Sequence, residues 1–93
     1  MNKYKGMYII RPDRTEEQFK VAVEEINKIF TDNGGEILSV DVWGMKDMAY
    51  EINDFRKGFY VVFTTNATTL AISEYDRICN IREDILRHII VRD

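Results

Sequence analysis

Two spacings of apolar residues alternate along the chain. Aromatic and β-branched residues dominate residues 4–10 and stop at Arg11-Pro12, where proline lacks the amide hydrogen that a strand ladder needs. The apolar residues that follow recur every three or four positions, which places them on one side of a helix. They are Phe19, Ala22, Val23, Ile26, Ile29 and Phe30. The pattern predicts a strand followed by an amphipathic helix.

Both ends of this first helix have sequence signals. Thr15 and Gln18 have the spacing of a capping box, in which each side chain bonds the free backbone amide of the other residue. Asn33-Gly34-Gly35 favours termination, because glycine reaches the left-handed conformation without a Cβ penalty. We therefore expect the helix to begin after Thr15 and to end at these residues.

The second half of the chain predicts three strands and one more helix. We expect a strand at 36–45, a polar connection at 53–58, a strand at 59–64, a helix at 69–80 and a strand at 85–91. The second helix is expected to bury Leu70, Ala71, Ile72, Tyr75, Ile78 and Cys79. In the strand at 36–45, Ile37, Val40 or Val42 would point inward, depending on register. The charged residues of this region, Glu36, Asp41, Lys46 and Asp47, are typical of an exposed edge strand.

The order βαββαβ predicts the fold class α+β, as a ferredoxin-like split βαβ sandwich. Its four-stranded antiparallel sheet would have two helices on one face and leave the other face uncovered. Because strand residues alternate, Phe59 and Tyr60 would point to opposite faces, one buried and one available to a partner. A chain of 93 residues, 45% of them hydrophobic, is expected to form one domain over residues 1–93.

The charge of the chain is unevenly distributed. The net charge is −3, and the segment from Asp13 to Asp32, with six acidic and three basic residues, accounts for all of it. The rest of the chain is balanced, so that one face would be acidic and another is free to be locally basic. Charge alone neither establishes nor excludes an RNA partner.

The residues that most often perform catalysis are few in this sequence. The single cysteine, Cys79, excludes an internal disulfide and a four-thiolate metal site, and it favours a reducing cytoplasm. Its apolar helix position favours a core role, and the only histidine, His88, lies in an apolar strand, where packing or a surface contact is favoured over acid–base chemistry. Residues 9–13 lack the glycine-rich anion loop of an acylphosphatase-type hydrolase. We see no secretory segment and no membrane-spanning run of about 20 apolar residues.

Basic residues occur mainly at predicted strand ends and connections. They are Lys3, Lys5, Arg56, Lys57, Arg82, Arg87 and Arg92. We expect them to reach phosphates from one rim of the sheet, while ordinary solubility is the alternative interpretation. Arg87 is the sharpest case, because a guanidinium within an apolar strand needs a phosphate or a carboxylate as its partner.

One set of residues points to a known family. The set comprises Tyr4, Gly34, Trp43-Gly44, Met48-Ala49-Tyr50-Glu51-Ile52, Gly58-Phe59-Tyr60, Glu74, Arg77 and Leu86-Arg87-His88. In these residues the chain resembles the bacterial small-subunit ribosomal protein six family, nearly from end to end. The resemblance implies a non-enzymatic cytoplasmic protein of the ribosome, without cofactor, metal, membrane or small-molecule substrate. It would bind the central domain of small-subunit ribosomal RNA as a pair with ribosomal protein eighteen.

The resemblance also implies two surfaces. The protein-partner edge would comprise Asp41, Trp43, Lys46 and Tyr50. The RNA-binding residues would comprise Lys3, Tyr4, Lys5, Arg56, Lys57, Arg82, Arg87 and Arg92. The alternative function is a small ligand-sensing or regulatory module, because ferredoxin-like domains serve many unrelated purposes. A metabolite that raised the melting temperature would favour this alternative.

Overall fold

Four antiparallel strands and two helices make up the fold, which the computed structural model describes for residues 1–93. The elements are β1 (Asn2–Ile10), α1 (Glu16–Asp32), β2 (Glu36–Ile52), β3 (Phe55–Ala67), α2 (Thr69–Ile81) and β4 (Ile85–Arg92). The strands form one sheet in the order β2-β3-β1-β4, and every neighbouring pair is antiparallel. The predicted ferredoxin-like βαββαβ sandwich is confirmed.

Helix α1 begins and ends where its signals predict. The Gln18 amide donates to Thr15 Oγ1 at 3.2 Å, and the Thr15 amide donates to Gln18 Oε1 at 2.9 Å, so the capping box is complete. The helix ends at Asn33, and Gly34 follows with a φ of +79°. Five residues of the predicted apolar stripe are buried, and the sixth, Val23, is half-buried against the core.

Helix α2 buries a narrower stripe than predicted. Ala71, Tyr75 and Cys79 are buried, and Ile72 and Ile78 pack against the core at partial exposure. The predicted burial of Leu70 is wrong, since 61% of this residue is exposed. One position along a helix is a rotation of about 100°, which turns Leu70 away from the stripe that Ala71 leads.

The core lies between the helices and one face of the sheet. Its centre is a cluster of three rings, Phe30, Phe63 and Tyr75, whose centroids lie 5.3 to 5.5 Å apart. The Tyr75 hydroxyl lies 3.2 Å from the carbonyl oxygens of both Met7 and Ile89, so it connects α2 to β1 and β4. Gly6 lies beneath the Phe63 ring, where a Cβ atom would approach the ring to 2.3 Å.

Strands β2 and β3 form a longer hairpin than the sequence patterns predicted. The expected end of β2 at residue 45 and the start of β3 at residue 59 are both wrong, because pairing continues to Ile52 and Phe55. Only Asn53 and Asp54 form the turn, with φ of 50° and 70°. Two consecutive left-handed residues are the signature of a type I′ hairpin turn, and Asn and Asp tolerate that conformation better than most residues.

The end of this hairpin, residues 46–58, folds over the sheet face opposite the helices, and we call it the arm. Met48, Tyr50 and Ile52 of the arm line a cavity of about 230 Å³ together with Ile9 and Tyr60 of the sheet. Ile9 is only 3% exposed although it lies on the face away from the helices. The prediction of an uncovered sheet face is therefore wrong where the arm lies.

The arm also affects the exposure of the two neighbouring aromatic residues of β3, Phe59 and Tyr60. Phe59 lies on the helix side and stacks on Phe19, with ring centroids 4.0 Å apart and planes 9° apart. Tyr60, on the other side, lines the cavity beneath the arm. Both residues are half-buried, so the expectation of one buried and one freely available ring is wrong.

Candidate functional site

The edge strand β2 presents three of the four predicted partner residues together. The sheet order leaves β2 with a neighbour on one side only, which confirms its edge position. Trp43 is 49% exposed, and its Nε1 donates to Asp41 Oδ2 at 3.1 Å. Lys46 Nζ lies 5.8 Å from the centroid of the Trp43 ring. The edge therefore holds an exposed indole between an acidic and a basic side chain.

Two irregularities in pairing shape this edge. The register of β2 against β3 shifts between Ile37 and Ser39 and again between Val42 and Gly44, which places Leu38 and Trp43 as extra residues. Gly44 has a φ of +82°, a conformation that favours glycine. Of the three residues predicted to point inward, Ile37 and Val40 pack on the core, whereas 51% of Val42 is exposed.

The fourth predicted partner residue, Tyr50, lies apart from the other three. It belongs to the arm, and its hydroxyl accepts a hydrogen bond from Nη1 of Arg87 on β4. The Arg87 guanidinium also lies 5.9 Å from the centroid of the Tyr50 ring. A neutral phenol thus takes the place of the phosphate or carboxylate expected for Arg87. The contact joins one predicted RNA-binding residue to one predicted partner residue.

Three predicted RNA-binding residues lie at one end of the sheet, which we call the basic end: Lys3, Lys5 and Arg92. The antiparallel register places them at this end, because Lys5 pairs with Val91 and Tyr4 with Arg92. Arg92 lies on the helix side of the sheet with its partner Tyr4, whereas Lys3 and Lys5 alternate with Tyr4 and point to the opposite face. Lys3 Nζ lies 3.7 Å from Asp93 Oδ2, and Arg92 Nη2 donates to Asn2 Oδ1 at 2.9 Å. These contacts are exposed and weak. Tyr4 is half-buried against the core beside them.

The other predicted RNA-binding residues lie elsewhere. Arg56 and Lys57 lie at the start of β3, beyond the Ile10 end of β1, because the register pairs Ile10 with Phe59 and Asn2 with Ala67. Arg56 Nε donates to Glu51 Oε1 at 2.9 Å. The expectation of a single basic rim is therefore wrong, since antiparallel pairing sends these residues to opposite ends of the sheet.

Arg82 is already engaged by carboxylates. Its Nε and Nη2 donate to the two carboxylate oxygens of Asp84, both at 2.8 Å, and Nη1 lies 3.5 Å from Glu25 Oε2. These hydrogen bonds lower the pKa of Asp84 below its ordinary value. The arrangement fastens the connection between α2 and β4 to α1, and it leaves Arg82 less available to a phosphate.

Cys79 and His88 both make packing contacts. Cys79 is 2% exposed, which confirms its core position, and burial raises the pKa of its thiol to about 12. His88 Nε2 lies 2.7 Å from Asp76 Oδ1, and its ring meets Tyr75 edge-on at 5.6 Å. The contacts of His88 agree with the packing interpretation. No group of three or more His, Cys, Asp or Glu residues is arranged to hold a metal ion.

Comparison with known proteins identifies the family. The sequence model of the family described as ribosomal protein S6 matches residues 3–92. The chain belongs to the ribosomal protein S6 family. The fold is also that of 30S ribosomal protein S6 from Thermotoga maritima, a crystal structure with a TM-score of 0.94 and 30% sequence identity. That match covers 99% of this chain and 87% of the Thermotoga chain.

Family membership confirms the resemblance that the sequence motifs indicated. This S6-family chain is a ribosomal protein of the small subunit, an RNA-binding and structural component of the translation machinery. Neither of its helices combines the length and the apolar composition that a membrane span requires.

The predicted elements do not include the contacts of the arm. Met48 and Ala49 lie against the sheet face, yet they fall outside every element that the sequence predicts. The available signal was Asn53-Asp54 between two apolar residues, Ile52 and Phe55, which is a hairpin spacing. The prediction instead places Asn53, Asp54 and Phe55 in a polar connection that extends to Gly58.

Proposed function

We propose that this chain binds the central domain of small-subunit ribosomal RNA together with ribosomal protein eighteen, and that residues 1–93 act as one domain. The observation that carries the proposal is the exposed indole of Trp43 on the free edge of β2, between Asp41 and Lys46. Tryptophan is enriched among residues that dominate protein interfaces, and charged neighbours set the orientation of a partner. Membership of the S6 family supports the choice of a ribosomal partner.

We assign the RNA contacts first to the basic end and to Arg87. Lys3, Lys5 and Arg92 share one end of the sheet, and the present contacts of Lys3 and Arg92 are exposed, so exchanging those contacts for phosphates costs little. Arg87 has only a neutral partner, Tyr50, which a phosphate would outcompete.

The remaining candidates have lesser parts in the proposal. Arg56 and Lys57 would meet RNA only if it reaches the opposite end of the sheet. Arg82 contributes least, because Asp84 and Glu25 already neutralise it. Tyr4 would contact RNA only through its exposed part, because the rest of its side chain packs on the core.

The charge distribution supports a shared RNA surface. A net charge of −3, concentrated in and around α1, opposes phosphate binding by the chain alone. A partner protein on β2 would add basic groups to the few that this chain provides. The chain alone is therefore expected to bind RNA weakly.

A mobility-shift assay with the central-domain RNA fragment tests the proposal. We expect a shifted complex only when this chain and ribosomal protein eighteen are both present. Trp43→Ala should weaken that complex at least tenfold, whereas Leu38→Ala, at a β2 residue of similar exposure (45%), should leave it unchanged. Tight binding to unrelated RNA without the partner would contradict the proposal.

A further inference from the structure

A groove runs between helix α1 and the edge strand β2, on the side of the sheet that faces the helices. We call it the α1–β2 groove, and its apolar lining consists of Phe19, Val23, Val42 and Phe59. Its volume is about 430 Å³, within the range of about 300 to 1,000 Å³ that is usual for binding pockets. The stacked rings of Phe19 and Phe59 make its base rigid.

The rim of the α1–β2 groove is acidic. Glu16 and Glu24 line it from α1, and neither makes an ion pair with another residue of the chain. Lys20 is the single basic residue in the lining. The segment from Asp13 to Asp32 also carries the whole net charge of −3, so the surrounding surface reinforces the negative potential. Such a rim repels phosphates and attracts lysine and arginine.

The strand beside the groove is open to pairing. Between the first two of its three register shifts, residues 39–42 of β2 pair regularly with β3, and their other backbone groups face away from the sheet. Val42 closes this stretch with 51% of its surface exposed, at the mouth of the groove. An added strand would gain main-chain hydrogen bonds here and direct alternate side chains into the groove.

We propose that the α1–β2 groove binds an extended protein segment in which an apolar anchor is flanked by lysine or arginine, paired as an added strand on residues 39–42. The anchor occupies the apolar lining, and the flanking cations meet Glu16 and Glu24. This inference rests on the proposed use of β2 as a protein-binding edge, and it specifies the chemistry of the partner at that edge. It extends the binding surface from the Trp43 side of the strand to the helix side.

A pair of synthetic peptides tests the groove directly. The first is acetyl-Arg-Lys-Val-Phe-Val-Lys-Arg-amide with a fluorescent label, and the second replaces every Arg and Lys by Glu. We expect fluorescence anisotropy to show binding of the basic peptide at least tenfold tighter than binding of the acidic peptide. Added salt should weaken binding of the basic peptide, because the charges on the rim of the groove are exposed and salt screens them. Failure of the basic peptide to bind would overturn the proposal.

Two kinds of variant locate the peptide. Val42→Lys should weaken binding of the basic peptide at least tenfold, because the new lysine fills the mouth of the groove and repels the positive charges of the peptide. Val91→Lys, at a residue of similar exposure on β4 (56%), should not change it. The double change Glu16→Gln and Glu24→Gln should also weaken binding and flatten its salt dependence, even if the Val42 variant folds poorly. Equal binding by the double variant and the unchanged chain would overturn the assignment to the groove.

The outcomes separate this inference from the proposed function. If the basic peptide does not bind while the RNA complex still requires ribosomal protein eighteen and Trp43, the groove proposal is contradicted and the proposed function is supported. If the peptide binds in the groove while no RNA complex forms, the function falls and the groove stands. Association of the chain with itself that Val42→Lys abolishes, seen by light scattering without peptide, would replace the proposed occupant by a second copy and overturn the proposal.

Discussion

Tyr8 and Tyr75 are both buried, but their hydroxyl groups have different surroundings. The hydroxyl of Tyr75 lies at hydrogen-bond distance from backbone oxygens of β1 and β4, whereas the Tyr8 hydroxyl is buried without a hydrogen-bond partner in the chain. Burial raises the pKa of both phenols, so each stays protonated at neutral pH and has a proton to donate to an acceptor. The value of each hydroxyl to stability therefore depends on its acceptor.

We predict opposite results from removing these two hydroxyls. Tyr75→Phe should lower the free energy of unfolding by about 1 kcal/mol, because it deletes a buried hydrogen bond. Tyr8→Phe, its matched control, should leave stability unchanged or raise it, since an unpaired buried hydroxyl is costly. Urea denaturation measures both, and equal losses in the two variants would contradict this interpretation.

Asp84 makes stability depend on pH. Its bonds to Arg82 hold the pKa of the folded carboxyl below the ordinary value of 3.8, so folding favours the charged form. The stabilisation is thus fully present above the ordinary pKa and is lost as the pH falls through the folded pKa. We predict that Asp84→Asn lowers the free energy of unfolding by about 1 to 2 kcal/mol near neutral pH.

The same difference should shrink in acid. At a pH well below the folded pKa of Asp84, both forms of the protein have a neutral side chain at this position, and their stabilities should converge. Asp13→Asn is the control, because Asp13 makes only an exposed contact of 3.0 Å with Arg11. A loss for Asp84→Asn that stayed constant from neutral to acid pH would show that the ion pair is not its cause.

At the level of elements, the turn of the arm depends on its left-handed residues. Asp54 has a φ of 70°, which β-branched residues adopt only with strain. We predict that Asp54→Val destabilises the protein by about 1 to 2 kcal/mol, whereas Asp54→Gly is neutral or stabilising. Urea denaturation with hydrogen exchange at the arm amides measures the effect. Equal stability of the two variants would mean that the turn has another conformation.

Helix α1 and the arm illustrate what the sequence reveals about elements. The spacing of the apolar residues in α1 and the pair Thr15 and Gln18 are local signals, and they predicted both the helix and its cap. The arm depends on contacts with two distant strands, through Ile9 of β1 and Arg87 of β4, and no local pattern contains that information. The prediction for Leu70 was wrong for another reason. It relied on the apolar character of the residue, whereas its position around the helix decides its exposure.

For the whole molecule, the sequence indicated how much charge is present but not where the cations meet. The acidic segment of α1 is contiguous, so it was recognised directly. The basic residues are dispersed, and only the register decides that Lys5 and Arg92 share one end while Lys57 lies at the other. The contact between Arg87 and Tyr50 likewise could not be predicted, because the arm reaches β4 only in the folded chain.

We predict that Arg87 contributes one phosphate contact to the RNA complex with ribosomal protein eighteen. Arg87→Ala should weaken the complex and reduce the slope of log K against log salt by about one. Tyr50→Phe removes the hydrogen bond to Arg87 but keeps the charge of Arg87, so the slope of log K against log salt should stay unchanged. Arg77→Ala is a second control, because Arg77 pairs with Glu74 on α2. An unchanged slope for Arg87→Ala would mean that Arg87 only holds the arm.

The most direct test of the whole account is sedimentation of ribosomes from growing cells on a sucrose gradient, with this chain detected by an antibody. We expect the chain to migrate with the small subunit and with complete ribosomes, and washing in high salt to release it, because the proposed RNA contacts are mainly electrostatic. Recovery of the chain only in the slowly sedimenting fractions, at low as well as high salt, would contradict a structural role in the small subunit.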